Sequence, residues 1–167
     1  MAEDAIRFID AHADHPFFLY WALNTPHYPL QATEKWRKQY ADFPSPRNMY
    51  AAFVSTTDEI IGRVLRYIEE RGLTNDTIII FQSDHGHSTE TRTFGGGGNS
   101  GPYRGAKFSL FEGGIRVPAI VSWPGTISAG EVRSQFITGC DWVPTALSLA
   151  GLKDEYISVS YTHLRAH

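Results

Sequence analysis

Thr77-Ile78-Ile79-Ile80-Phe81-Gln82-Ser83-Asp84-His85-Gly86 is the stretch on which the reading of this chain turns. Its first part is β-branched and aromatic, too short for a helix and bounded by turn residues, which predicts a strand buried on both faces. That strand runs out into a carboxylate, an imidazole and a glycine. Just upstream, Asn48–Arg71 places Ala52, Phe53, Ile60, Ile61, Val64, Leu65 and Ile68 at intervals of three and four, with Gly72 behind them. The spacing predicts a long amphipathic helix with a glycine C-cap, and Asn75-Asp76 a turn into the strand. Earlier still, Phe17–Leu23 lies between Pro16 and Asn24-Thr25-Pro26 and predicts another strand buried on both faces; Ala2–Ala13 predicts a short amphipathic helix. A strand, a helix and a strand in that order imply a right-handed crossover. The class is therefore α/β, with a mostly parallel central sheet flanked by helices.

Downstream, Ser88–Ala106 is rich in Gly, Ser, Thr and Asn and has no hydrophobic period. A loop of that length inside a domain is uncommon unless it serves a site. Val117–Trp123 and Ser134–Gly139 predict strands, and Trp142–Ala150 a helix with Pro144 in its first turn. Glu112-Gly113-Gly114-Ile115-Arg116 reads as a tight turn flanked by an ion pair, a structural feature. Residues 153–167 have no clear period and form a tail apart from residues 1–152.

Composition narrows the function. The chain has 167 residues, 42% of them hydrophobic and 20% charged, with a net charge of -3 and no cluster of Lys and Arg. That balance gives no electrostatic case for a nucleic acid or an anionic membrane as partner. The single cysteine, Cys140, excludes an internal disulfide and a Cys-based zinc site, and its apolar setting predicts a small core residue. No apolar run reaches the ~18 residues of a membrane span. Met1-Ala2-Glu3-Asp4 has neither a basic nor an apolar leader region, and in a longer parent such a leader would lie upstream.

In an open parallel sheet, ligands bind outside the carboxyl ends of the strands. Asp84 and His85 sit at such an end, where Gly86 lets the backbone bend. They read either as two ligands of a cation or as a capped strand-ending turn. His27, after the earlier strand, reads as a proton donor or anion ligand at the same edge, or as a loop histidine bonded locally. His87 reads as a residue that shapes the loop. Arg104 and Lys107, where the glycine loop returns to the fold, would make a site for a tetrahedral oxyanion, sulfate or phosphate, or else are surface charges.

Taken together, Pro16–Gln31, Ile78–Gly86, Tyr103-Arg104-Gly105-Ala106-Lys107 running on through Glu112–Pro118, Trp123-Pro124-Gly125 and Asp141–Gly151 resemble the formylglycine-dependent sulfatases of the alkaline phosphatase superfamily. The resemblance covers roughly residues 1–152, and its most specific part is Tyr103–Pro118. It implies a partial alkaline-phosphatase-like sandwich, the carboxyl-side portion of a catalytic domain. Asp84 and His85 would bind a divalent cation, usually calcium in this family, although many members have Asn at the position of His85. His27 and Lys107 would contact the sulfate group, lowering the cost of negative charge on the departing oxygen and helping to protonate it. The substrate would be a sulfate ester, on a carbohydrate or an aryl group, and the parent would be secreted or periplasmic.

The family's nucleophile, a formylglycine made within a Cys/Ser-x-Pro/Ala-x-Arg segment, is expected upstream of this chain. Cys140, followed by Asp141-Trp142-Val143-Pro144, does not fit that motif, and no other segment of the chain is expected to supply it. The chain alone is therefore expected to be inactive. Two alternatives stand beside this reading: a phosphodiesterase or phosphonate hydrolase of the same superfamily, and a non-catalytic anion-binding protein.

Overall fold

The structure is a computed structural model that describes residues 1–152. Residues 1–129 form one compact unit, and a second begins at Gly130.

The first unit is organised around two helices. Helix α1 (Ala2–His12) buries Ala2, Ala5 and Ile9, and helix α3 (Arg47–Glu70) buries Val64 and Ile68 toward the same core. The alanines let the helix backbones approach closely, so Ile9, only 1% exposed, becomes the most enclosed large side chain. Around the apolar seam, Arg63 pairs with Glu3, and Asp10 takes a hydrogen bond from the Tyr67 hydroxyl at 2.7 Å and the Arg71 charge at 3.4 Å. The end of α3 follows from one residue. Gly72 takes φ +70°, its N–H donates to the Glu69 carbonyl, and the Leu73 N–H donates back to Ile68. This is the paired C-terminal motif that a glycine in the left-handed region allows. Both predicted helices are present to within a residue or two.

Helix α2 (Glu34–Gln39) lies on the other half of α3. The Trp36 indole donates to Glu59 at 2.6 Å, Lys35 reaches the same carboxylate at 3.2 Å, and Tyr40 meets Ser55 at 2.9 Å. Thr56 and Thr57, buried in α3, satisfy their hydroxyls on the carbonyls four residues back.

The strands depart from expectation. Strand β1 (Ile79–Gln82) pairs with β2 (Ala119–Ser122) in antiparallel register, Ile79 opposite Ser122 and Gln82 opposite Ala119. Among the described residues this is the paired sheet, so the parallel strand-helix-strand arrangement is not found there. Nor is β1 buried on both faces: Ile80 and Phe81 of β1 and Ile120 and Val121 of β2 are all substantially exposed. Residues 17–23 are not a strand. Phe17, Leu19 and Trp21 pack on the α1/α3 core while Phe18 and Tyr20 face outward, so the stretch alternates and is buried on one side only. Its apolar run reflects composition, not two-sided burial. No helix among the described residues is long and apolar enough to cross a membrane.

In the second unit, residues 134–138 do not form the predicted strand; Phe136 is 86% exposed. Thr138 instead caps a short turn at Gly139–Asp141, its backbone N–H and hydroxyl both reaching the Asp141 carboxylate. Cys140, expected in a core, is exposed in that turn because the cap holds the backbone there. Helix α5 (Trp142–Leu149) follows as predicted. The tail at 153–167 lies outside the described residues.

Candidate functional site

The site assembles where β1 ends. Ser83 extends the pairing by one step, its N–H donating to the Pro118 carbonyl at 3.3 Å, and the chain then turns outward at Asp84. The His85 Nδ1 faces the Gly86 carbonyl at 2.9 Å, and its Nε2 lies 3.0 Å from Asp84 Oδ2. A carbonyl can only accept, so Nδ1 is the donor of that bond, and Nε2 is the ring nitrogen turned to the carboxylate. Two donor atoms at that separation are spaced as neighbouring ligands on one cation at about 2.3 Å, and a ring N–H held by a backbone carbonyl is the usual outer support of a ligating histidine. The pair fits a cation as far as it goes. It does not make a full donor set: among the described residues no group of three or more His, Cys, Asp or Glu could hold a metal ion.

Lys107 is brought to this edge by backbone, not by side chains. Its N–H donates to the His87 carbonyl at 2.9 Å, Gly86 donates to Gly114 at 2.8 Å, and Gly113 donates to Arg104 at 2.8 Å. Three segments, 86–87, 104–107 and 113–114, thus lie against one another with no Cβ between them. A methyl on Gly86 would sit 2.0 Å from the Gly113 carbonyl oxygen, and one on Gly114 would sit 2.1 Å from that of Ser109. Gly113-Gly114 belongs to the short helix α4 (Glu112–Ile115), which is closed by an Arg116–Glu112 bond of 3.1 Å, the structural ion pair expected. Within the glycine run Gly96, Gly97 and Gly98 are likewise packed, while a methyl on Gly95 would meet nothing within 4 Å. Gly97 lies against Tyr50 of α3 and accepts a bond from Arg47, and Gly98 lies against His87, whose part is therefore to shape the loop.

The Lys107 side chain is only 12% exposed. Its ammonium stands 3.6 Å from Glu90 and 5.2 Å from the centre of the Phe108 ring. Phe108 is held at φ +71°, an uncommon conformation for a bulky residue, and turns its ring outward. Arg104, the other expected cation, lies over Phe111 at 4.1 Å. The carboxylate of Glu90 is shared: one oxygen takes Arg92, the other takes the Ser88 hydroxyl at 3.2 Å and the Lys107 charge. Arg92 in turn lies over the Tyr28 ring at 4.5 Å, and Tyr28 packs against His27 at 4.3 Å. His27 itself is exposed and hydrogen-bonded to the Tyr28 carbonyl at 2.9 Å. Asp84 with His85, and Lys107 with His87, are brought together directly; His27 reaches Lys107 through Tyr28, Arg92 and Glu90.

Glu90, Arg92 and Tyr28 were not among the residues singled out by sequence. A lone acid and a lone base two positions apart in a polar loop look like solvated charges. No sequence signal marked them; in the structure the turn at Thr91–Thr93 is pinned by buried Thr93, whose hydroxyl bonds the Glu90 carbonyl at 2.7 Å.

Burial pushes the Glu90 carboxyl up, but hydrogen bonds from Arg92 and Ser88 and the charges of Arg92 and Lys107 outweigh it. The net effect holds the group below its ordinary value of 4.5. A lowered folded-state value means that this carboxylate stabilises the fold fully above the ordinary glutamate range. That contribution is lost as the pH falls through the lowered value. Glu90→Gln should therefore be less stable than the natural chain near neutral pH, and the gap should close as the pH falls below 4.5 and through that lowered value. Thermal midpoints recorded across that range test this; a gap independent of pH would count against it.

The sulfatase family profile matches residues 1–152 of this chain. The N-acetylgalactosamine-6-sulfatase of Rattus norvegicus is 40% identical over 153 residues, an alignment covering 90% of this chain and 28% of that protein. Arylsulfatase D of Homo sapiens is 38% identical over 154 residues, covering 90% of this chain and 25% of its own length. Among solved structures, Ps i-CgsB in complex with k-i-k-neocarrahexaose superposes with a TM-score of 0.83 at 34% identity, covering 91% of this chain and 33% of that one. The PsFucS1 sulfatase from Pseudoalteromonas sp. gives 0.78 at 31%, covering 92% and 30%. The α/β arrangement is thus a partial alkaline-phosphatase-like fold, and the chain spans about 28% of the length of the first curated relatives it matches. With the family profile spanning all but the last residues, and with relatives and structures alike agreeing over the same region, this chain belongs to the sulfatase family.

Proposed function

We propose that this chain contributes one half of the active site of a sulfuric ester hydrolase acting on sulfated carbohydrates or aryl sulfates. The observation that carries this reading is the secluded Lys107 ammonium, tied through the His87 carbonyl to the strand end that bears Asp84 and His85. In this reading Lys107 offsets negative charge on the sulfate oxygens. His27 supplies a proton to the departing oxygen. Asp84 and His85 provide two ligands of a divalent cation, calcium by family, which would polarise the ester when bound. The remaining ligands and the nucleophile would come from elsewhere. Relatives named for N-acetylgalactosamine 6-sulfate and steryl sulfate, and a carrageenan oligosaccharide held by one structural neighbour, support a sulfated glycan or aryl ester over a phosphoester.

One correction bears on the nucleophile. The spacing Ser-x-Pro-x-Arg does occur in this chain, at Ser100-Gly101-Pro102-Tyr103-Arg104, against the expectation that it would be absent. Here the Ser100 hydroxyl donates to the Tyr103 carbonyl at 2.7 Å and closes the turn that leads to Lys107. We read it as a structural serine. The purified chain should accordingly release no nitrophenol from 4-nitrophenyl sulfate and show the mass of unmodified serine. Turnover abolished by Lys107→Ala, or a loss of about two mass units at Ser100, would overturn the assignment of the nucleophile to another segment.

A further inference from the structure

The geometry points to Arg92 as a substrate-contacting residue that binds a second sulfate on the same sugar and so sets a preference for multiply sulfated glycans. This inference deepens the proposed function and rests on it, since it requires that Lys107 bind the first sulfate.

Glu90 is one carboxylate between two cations, Arg92 on one oxygen and Lys107 at 3.6 Å from the other. If Arg92 served only to neutralise Glu90, Lys107 would already suffice. The cluster therefore keeps one excess positive charge in a region where the loop's own hydrogen bonds, from Ser88, Thr93 and Ser100, need none.

Arg92 is also held in a way that leaves it available. Its side chain is about half exposed, its guanidinium carbon lies over the Tyr28 ring at 4.5 Å, and its bond to Glu90 engages Nη2. A guanidinium has five N–H donors in a rigid fork, and stacking on a ring fixes its plane without consuming them. The remaining edge is preorganised for an oxyanion. Tyr28, which carries it, abuts His27, and Glu90, which restrains it, abuts Lys107, so Arg92 is linked by one intervening side chain to each of the two residues assigned to the sulfate. With a first sulfate on Lys107, a second sulfate on the same pyranose ring is the anion assigned to the free edge of Arg92, on the other side of the shared Glu90 carboxylate. A monosulfated sugar would leave the fork unused.

Calorimetric titration of the purified chain in calcium-containing buffer tests this with inorganic sulfate, N-acetylgalactosamine 6-sulfate and N-acetylgalactosamine 4,6-disulfate. The disulfate should bind about tenfold more tightly than the monosulfate, as expected for one added charge-assisted contact. Arg92→Gln should bring that ratio close to one, and Arg92→Lys, which keeps the charge without the fork, should restore part of it. A chain that binds inorganic sulfate but shows no preference for the disulfate overturns the role of Arg92 alone. Equal weakening of all three probes in Arg92→Gln, with a lowered thermal midpoint, overturns it too, because Arg92 would then be structural. Failure to bind even inorganic sulfate removes the Lys107 site and this inference with it.

Discussion

Replacing Lys107 with methionine should weaken the binding of inorganic sulfate to the purified chain roughly 30-fold, about 2 kcal/mol, the usual loss for a hydrogen bond to a charged group. Methionine keeps the aliphatic stem that packs beside Phe108 and removes only the ammonium, so the comparison isolates charge from packing. Truncating one partner of a secluded ion pair is often costly because the other charge is stranded. Here it is not stranded: Glu90 keeps Arg92 and the Ser88 hydroxyl. The variant's stability should therefore stay within about 1 kcal/mol of the natural chain. Calorimetry and urea unfolding on the same sample separate the two quantities. Sulfate affinity within threefold of the natural chain would remove Lys107 from the site.

Gly86→Ala should destabilise the chain by about 3 kcal/mol, the upper part of the range for overpacking. The added methyl would stand 2.0 Å from the Gly113 carbonyl oxygen and 3.0 Å from Gly114 Cα, both backbone atoms within a junction closed by three hydrogen bonds. No side chain can rotate away to relieve it. The relief is backbone separation, which breaks the Gly86–Gly114 bond and loosens the junction between the strand end that bears Asp84 and His85 and the segment that bears Lys107. Gly72→Ala is the matching control. Gly72 needs its positive φ, but a methyl there meets nothing within 4 Å. Its cost is conformational, about 1 kcal/mol, and remote from the site. Urea unfolding ranks the two; amide exchange at Gly114 and Lys107 should accelerate in Gly86→Ala and not in Gly72→Ala. Equal costs would refute the steric account.

Much of the candidate site was legible in the sequence because strand ends are local events. A β-branched run that stops at Asp84-His85-Gly86 places those side chains at the end of β1 whatever lies around the sheet. Gly72 marked the close of α3 for the same reason. Lys107 was legible only as a cation at the end of a glycine loop. That it is secluded and faces Glu90 depends on a contact across seventeen residues of irregular chain. The expected strand at 17–23 failed instructively. An apolar run satisfies two-sided burial and one-sided burial alike, and only the α1/α3 core, which takes Phe17, Leu19 and Trp21 and leaves Phe18 and Tyr20 outside, settled which applied.

What the sequence determined by itself is what period and caps can encode: helices α1, α3 and α5, the position of β1, the ion pair around α4, and a family resemblance concentrated in Tyr103–Pro118. Tertiary structure alone decided the antiparallel pairing of β1 with β2, the single-faced packing at 17–23, and the seat of Lys107. The strand pairing and the seat of Lys107 rest on backbone hydrogen bonds and, at Lys107, on glycines that admit close approach between distant segments, and a backbone contact has no side-chain pattern by which one sequence could announce it. The packing at 17–23 rests on which face the α1/α3 core covers, and an apolar run is compatible with burial on one side or on both.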